Sequence, residues 1–355
     1  MAQCGACGTV QLAQPPPIEE LLAVPPWMTY NEPDRHLDAL AAHIALLPSL
    51  AGTTAVGVGV HDEPLLARLA ARGFDTSRLD TSRDLGIDSP VPGPAAIQQR
   101  LTPARARAVV KTRGRAPLVI ARYTYEHAYD PVEHLCALEE LAAPEGMVLL
   151  ELPDCTDALR TMDYTTLWEE HVLYHTPQSL RAALTATGWH VVWMQSYPNT
   201  LHNALVVIVT RARTPGASAA SIEPSRQLAT TFAEAFPVVR GRVQQWFEGR
   251  RATGVRVALL GAGHLGVTYL TIMSIAGHVE FAVDDNPQKQ GFTLPGVRLP
   301  IRPSSALLDE QIGITLMAVN PDSEAAVLTR IEPFHRGGGQ VASIFPTSPY
   351  ALPVY

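Results

Sequence analysis

The chain has 355 residues, 46% apolar and 17% charged, a composition that argues against wholesale disorder and leaves room for two or three domains. A formal net charge of −7 and a pI near 5.9 give no reason to expect nucleic acid as a partner. No apolar run reaches the length of a membrane span, the N-terminus lacks signal-peptide form, and four cysteines make no secreted disulfide framework; a cytoplasmic location is expected.

Residues 1–33 read as irregular and open with Cys4-Gly5-Ala6-Cys7-Gly8. A helix is expected over 34–47, then a strand over 54–58 and a turn, Gly57-Val-Gly59-Val-His61-Asp62-Glu63. A helix over 64–72 leads to a strand around Leu79, with Asp80 at its end. Proline-rich stretches at Pro15–Pro17, Pro25-Pro26 and Pro90–Pro92 read as connections. The basic run Arg105, Arg107, Lys111, Arg113 and Arg115 reads as a solvated helix face. Residues 117–121 form a buried strand, 132–141 an amphipathic helix, and 147–152 a second buried strand ending near Glu151.

Open α/β sheets bind ligands at the C-terminal ends of their strands. Beyond such an end lies Trp168-Glu-Glu170-His171-Val-Leu-Tyr174-His-Thr176, with carboxylates, imidazoles and a phenol close together. A His beside a Glu can move a proton near neutral pH; the alternative is a polar loop before a helix cap at Thr176-Pro177. A helix over 177–186 and strands over 189–194 and 204–210 complete a doubly wound sheet with an antiparallel edge.

Small, breaker-rich residues over 211–221 read as a linker, followed by a long helix to about Arg250. A second α/β unit opens with Val257-Ala-Leu-Leu-Gly261-Ala-Gly263-His-Leu-Gly266, a G-x-G-x-x-G turn between strand and helix. Asp284 and Asp285 follow about 20 residues on. Read locally, this is a dinucleotide fingerprint for NAD(P), or a Rossmann-like turn used for packing or another phosphate.

Several segments together resemble the three-domain sugar C-methyltransferases, which use S-adenosyl-L-methionine (SAM) on nucleotide-linked keto-deoxysugars. Cys4-x-x-Cys7-Gly-Thr-Val-Gln-Leu is similar to half of that family's four-cysteine zinc module. Ala121-Arg122-Tyr123-Thr-Tyr-Glu126-His127 resembles its post-strand motif, and Trp168-Glu-Glu170-His171-x-x-Tyr174 its catalytic segment. The run from Val283 through Asn286-Pro287, Lys289-Gln290-Gly291 and Leu294-Pro295-Gly296 to Pro300-Ile301 resembles its C-terminal domain.

The resemblance implies a class I methyltransferase-like doubly wound sheet followed by a second Rossmann-like α/β domain. The implied boundaries are a zinc-module remnant at 1–33, a methyltransferase-like domain at 34–211, a linker and long helix at 212–251, and a C-terminal domain at 252–355. It implies His171 as the base that removes a proton beside a ketone, Glu170 as its neighbour, and His127 and Tyr174 lining the substrate pocket. Gly57, Gly59, Asp62, Asp80 and Tyr123 fall in the SAM region. The C-terminal glycine turn is then expected to bind no nicotinamide. With only one cysteine pair, no metal is expected.

The chain departs from the family at Gly57, where an acid is expected, at His61-Asp62-Glu63, at Tyr123, at Trp168 and at Leu201–Ala204. Two other functions therefore stay open: a methyltransferase-fold isomerase, cyclase or lyase that uses His171 and Glu170, and a non-catalytic scaffold. The expected partner is a small molecule such as a nucleotide sugar. The sequence is silent on oligomeric state.

Overall fold

The computed structural model describes residues 1–21, 32–89, 93–212 and 221–354. The expected connections at Pro25-Pro26 and Pro90–Pro92, and most of the expected linker, lie outside the described residues. The chain forms two compact units: residues 1–156 with 169–227, and residues 157–168 with 228–355. This division differs from the expected domain boundaries. A short mid-chain segment joins the second unit, and the long helix Glu223–Ala252 falls mostly there too.

Among its described residues the first unit holds nine strands: β1 (Ala2–Gln3), β2 (Val10–Gln11), β3 (Thr54–Gly57), β4 (Asp75–Arg78), β5 (Ala116–Arg122), β6 (Ala142–Asp154), β7 (Leu173–Tyr174), β8 (Trp189–Tyr197) and β9 (Asn203–Arg211). Six of them make one sheet in the order β4-β3-β5-β6-β9-β8. β4, β3, β5 and β6 run parallel, while β9 is antiparallel to both of its neighbours. An antiparallel strand inserted second from one edge of a doubly wound sheet is the class I methyltransferase arrangement.

Burial on both faces explains the continuous apolar runs of β5 and β6. Leu118 and Ile120 pack on one face with Leu149, Val206 and Ile208. Val119 and Ala121 pack on the other with Val148, Leu150 and Val207. The helix Pro177–Ala186 starts where expected: the Thr176 hydroxyl accepts from the Ser179 N–H, and Pro177 occupies the first helical position. The basic run lies on the helix Pro103–Arg113 and beyond its end, where Arg107 and Arg115 pair with Glu140 and Arg113 pairs with Asp84.

The N-terminal segment is not irregular. β1, β2 and β7 form a small antiparallel sheet, in which Val10 is the partner of Tyr174 and Gln11 of Leu173. The Leu12 N–H extends the pairing to the Val172 carbonyl at 2.9 Å. Two-residue strands carry no readable period, so the sequence pattern alone does not show this pairing.

The second unit has a parallel five-stranded sheet. In chain order its strands are β10 (Val257–Leu260), β11 (Ala282–Val283), β12 (Ile301–Arg302), β13 (Ile314–Met317) and β14 (Gln340–Ser343), with the spatial order β12-β11-β10-β13-β14. Its glycine turn packs tightly. A Cβ on Gly261 would lie 2.7 Å from the Ala318 carbonyl, whereas one on Gly263 would meet nothing within 4 Å. Asp284, the acid that would hold a ribose in a dinucleotide site, accepts from the Ala262 and Asn286 N–H groups and pairs with Lys289 at 2.8 Å.

Candidate active site

The strand ends β3, β4 and β5 carry the residues expected near a cofactor. Gly57 closes β3, and a Cβ there would lie 2.7 Å from the Asp62 Cβ and 2.9 Å from the Leu66 Cδ1. Asp62 turns inward rather than toward a ligand. Its carboxylate accepts from the Val58 and Gly59 N–H groups, both at 2.7 Å, and from the Arg122 N–H at 2.8 Å. It therefore braces the turn against β5. Burial raises this carboxyl to about 7, against the three N–H groups that favour its charge. Asp80 lies just beyond β4, is exposed, and accepts from the Arg83 N–H at 2.7 Å.

Tyr123 follows β5 with φ at 53°, a left-handed conformation that costs a large side chain energy and is held only by its surroundings. Its hydroxyl is buried beside the Glu151 carboxylate. The rings of His61 and His202 stand edge-on to it at 6.4 and 6.1 Å.

Beneath these residues lies an ionic network that local sequence does not reveal. Arg122 grips Glu151 with two bonds of 2.6 and 3.0 Å and also donates to the carbonyls of His61 and Pro33. His36 approaches the same carboxylate at 3.1 Å. Burial alone would raise Glu151, but Arg122 and His36 outweigh it and hold the group down at about 2. Glu151 is thus committed to Arg122 and His36 rather than to His171. An Arg and a Glu at the ends of neighbouring apolar strands were the only sequence signal for this pair.

The proton-transfer candidates meet at the same end of the sheet. His127 ends a short turn, Tyr125–His127, just after β5. His171 stands just before β7. The two rings are perpendicular with centroids 4.8 Å apart, and Tyr174 lies edge-on to His171 at 6.3 Å. The Val172 N–H donates to the Glu126 carbonyl at 2.7 Å, which ties the two segments together through backbone. Glu170 is buried beside them. Burial lowers the His127 imidazole to about 3, reinforced by His61 and partly opposed by the Glu170 main chain. His171, Glu170, His127 and Tyr174 therefore gather in one place.

Sequence inspection missed Glu126 as a site residue. It is 1% exposed, no other residue hydrogen-bonds its carboxylate, and burial raises it well above the usual carboxylate range against its own backbone N–H. Near the N-terminus, the Cys7 thiol lies 3.1 Å from the Thr9 hydroxyl, which in turn lies 3.3 Å from His175 Nδ1.

The first unit is thus a class I methyltransferase-like domain with a cluster of histidines near the ends of its parallel strands. Residues 219–346 match the family described as the C-methyltransferase C-terminal domain. The chain is also 27% identical over 237 residues to the C-methyltransferase NovU of Streptomyces niveus, a match covering 63% of this chain and 56% of that protein. It spans little more than half the length of that relative. By these matches the chain is similar to C-methyltransferases. Among solved structures, the 1,6-didemethyltoxoflavin-N1-methyltransferase of Burkholderia thailandensis is 14% identical, over 50% of this chain and 77% of that one, with a TM-score of 0.34. The magnesium protoporphyrin IX methyltransferase of Synechocystis PCC 6803 is 15% identical, over 50% and 83%, with a TM-score of 0.35.

Proposed function

We propose that this protein is a SAM-dependent C-methyltransferase acting on an activated keto substrate such as a nucleotide-linked keto sugar. The observation that carries the proposal is the convergence of His171, His127, Glu170 and Tyr174 at the strand ends of a methyltransferase-like sheet, in a chain similar to C-methyltransferases.

The glycine turn fits a cofactor. Gly57 and Gly59 keep it tight, Asp80 stays exposed at the end of β4, and Tyr123 lies beyond β5. Bound there, SAM supplies an electrophilic methyl group. Asp62 holds the turn in shape, and Asp80 would accept from a ribose hydroxyl. His171 would remove the proton from the carbon next to the ketone; bound SAM would supply the methyl group to that carbon, its S–CH3 bond breaking with the electron pair kept by sulfur as S-adenosylhomocysteine leaves. Glu170 and Tyr174 orient the imidazole, and His127 stays neutral at the pocket wall. The proton leaves from His171 to solvent.

One observation favours a second reading. The Val58 and Gly59 N–H groups, which an anionic cofactor end would use, already donate to Asp62. An enzyme that stops at proton transfer, as an isomerase, cyclase or lyase does, would need only the histidine cluster. The test incubates the full chain with a keto-sugar nucleotide, methyl-labelled SAM and deuterium oxide. Label on carbon together with S-adenosylhomocysteine supports methyl transfer. Deuterium exchange without label supports the second reading. Neither event, with no SAM binding by calorimetry, sinks both.

A further inference from the structure

We propose that Glu126, His127 and His171 form a binding site for a divalent cation of the zinc class. Each of these side chains offers one ligating atom, and the three atoms lie within 4.8 Å of one another. Among the described residues, no other such group of three forms. Two imidazoles and a carboxylate are a donor set that borderline transition metals favour, and a fourth position stays open.

Three features show a built site rather than chance proximity. First, the donors are fixed from both sides. Glu126 and His127 belong to the turn after β5, and the Val172 N–H, one residue beyond His171, bonds the Glu126 carbonyl at 2.7 Å. Second, Glu126 is buried with no other residue hydrogen-bonded to its carboxylate, and His127 is 3% exposed with Nδ1 unpartnered. Buried polar atoms are costly when unpaired, and a cation satisfies a carboxylate and two imidazoles together. Third, the Glu170 main chain interacts with the His127 ring, while Nδ1 is the nitrogen without a partner. A backbone carbonyl on one imidazole nitrogen, with the other facing the ion, is the usual support for a metal-binding histidine. Zinc bonds of about 2.0–2.2 Å require the three donors to close in from their present separations.

The cation would occupy the His171 lone pair. On the reading of His171 as the base, a loaded site holds that residue as a ligand and suppresses proton removal, and chelation releases it. Metal binding itself does not depend on that reading.

The experiment titrates chelator-treated full chain with cobalt(II) and reads the visible d–d absorption, with zinc calorimetry alongside. A Cys4→Ser/Cys7→Ser background removes the thiols as competing donors. The expected result is one equivalent bound in that background, with d–d intensity of a four- or five-coordinate ion. Binding should weaken at least about tenfold in Glu126→Gln and in His171→Gln. The second variant alters a half-buried side chain, so it keeps the test decisive if Glu126→Gln does not fold. No stoichiometric binding, binding that vanishes with the cysteines, or binding indifferent to both substitutions would each overturn the proposal. If methyl transfer is also measurable, zinc should inhibit the parent chain and a chelator should restore it; full activity with the cation bound would refute the competition for His171.

Discussion

His171 is the side chain on which the proposed chemistry depends. Replacing it with Ala should lower turnover by roughly 100-fold or more, the usual scale for a positioned acid–base group, while the far-ultraviolet spectrum stays unchanged. Normal turnover would move the base elsewhere. Two glycines make a sharper contrast. Gly57→Ala places a methyl 2.7 Å from an Asp62 that three N–H groups pin in position, so it cannot retreat. A loss of about 1–3 kcal/mol is expected. Gly263→Ala points into open space and should leave stability nearly unchanged. Denaturant midpoints measure both; equal effects would show that the two turns are not used differently. The sequence made His171, Glu170, His127 and Tyr174 visible because they sit in short polar runs after apolar strands. Glu126 and Asp62 were not legible in their roles, because burial and partners such as Arg122, 60 residues from Asp62, decide what a carboxylate does.

At the level of elements, strong periodicity carried most of the fold. β5, β6 and the capped helix Pro177–Ala186 stand where apolar runs and cap chemistry put them. β6 starts earlier than expected, at Ala142, and runs through Pro144-Glu145-Gly146, a stretch that reads as a break. The helix Pro94–Arg100 had no clear apolar stripe to announce it. The pairing of β2 with β7 was out of reach for the same reason, yet it sets the position of the segment that follows His171. Leu12→Pro removes the N–H that bonds the Val172 carbonyl. Turnover should fall about 10- to 100-fold, as expected when a catalytic group is displaced by a fraction of an ångström to an ångström. The main unfolding transition, governed by the six-stranded sheet, should shift little. A large drop in the midpoint with unchanged specific activity would contradict this division of labour.

At the scale of the whole molecule, the buried titratable groups predict the response to pH. His61, His127, His134, His175 and His202 are pushed down to about 4, 3, 4, 3 and 4, chiefly by burial. Their folded pKa lies below the unfolded one, so the unfolded chain takes up more protons below about pH 6.5 and stability falls with falling pH. Glu32 and Asp62, raised to about 7, and Glu126, also raised by burial, act with the opposite sign: the folded state keeps protons that the unfolded chain releases. The two sets oppose each other between about pH 5 and 7. Below about pH 4.5 the unfolded carboxyls are protonated too, and the offset vanishes. Only the histidines and Glu151, held at about 2, then matter, and each proton costs up to about 1.4 kcal/mol per pH unit. Five histidines outweigh three carboxyls once the unfolded imidazoles are charged, so denaturation midpoints should be nearly level from pH 7 to about 6, fall gently to pH 5 and drop steeply below 4.5; midpoints still level at pH 5 would contradict the balance. The division of the chain carries a consequence for synthesis. The second unit takes residues 157–168 from the middle of the chain, and within it Tyr164 packs on Phe232 and Phe236, with its hydroxyl bonded to the Phe232 carbonyl. A ribosome makes Tyr164 at least 68 residues before that carbonyl exists. The nascent first unit can pair its six strands, but the stretch leading into Glu170 and His171 has to wait, anchored at one end only, until the long helix emerges. The two ends of the segment 157–168 are thus fixed at different times during synthesis, the first when Tyr164 is made and the second only when Phe232 and Phe236 follow.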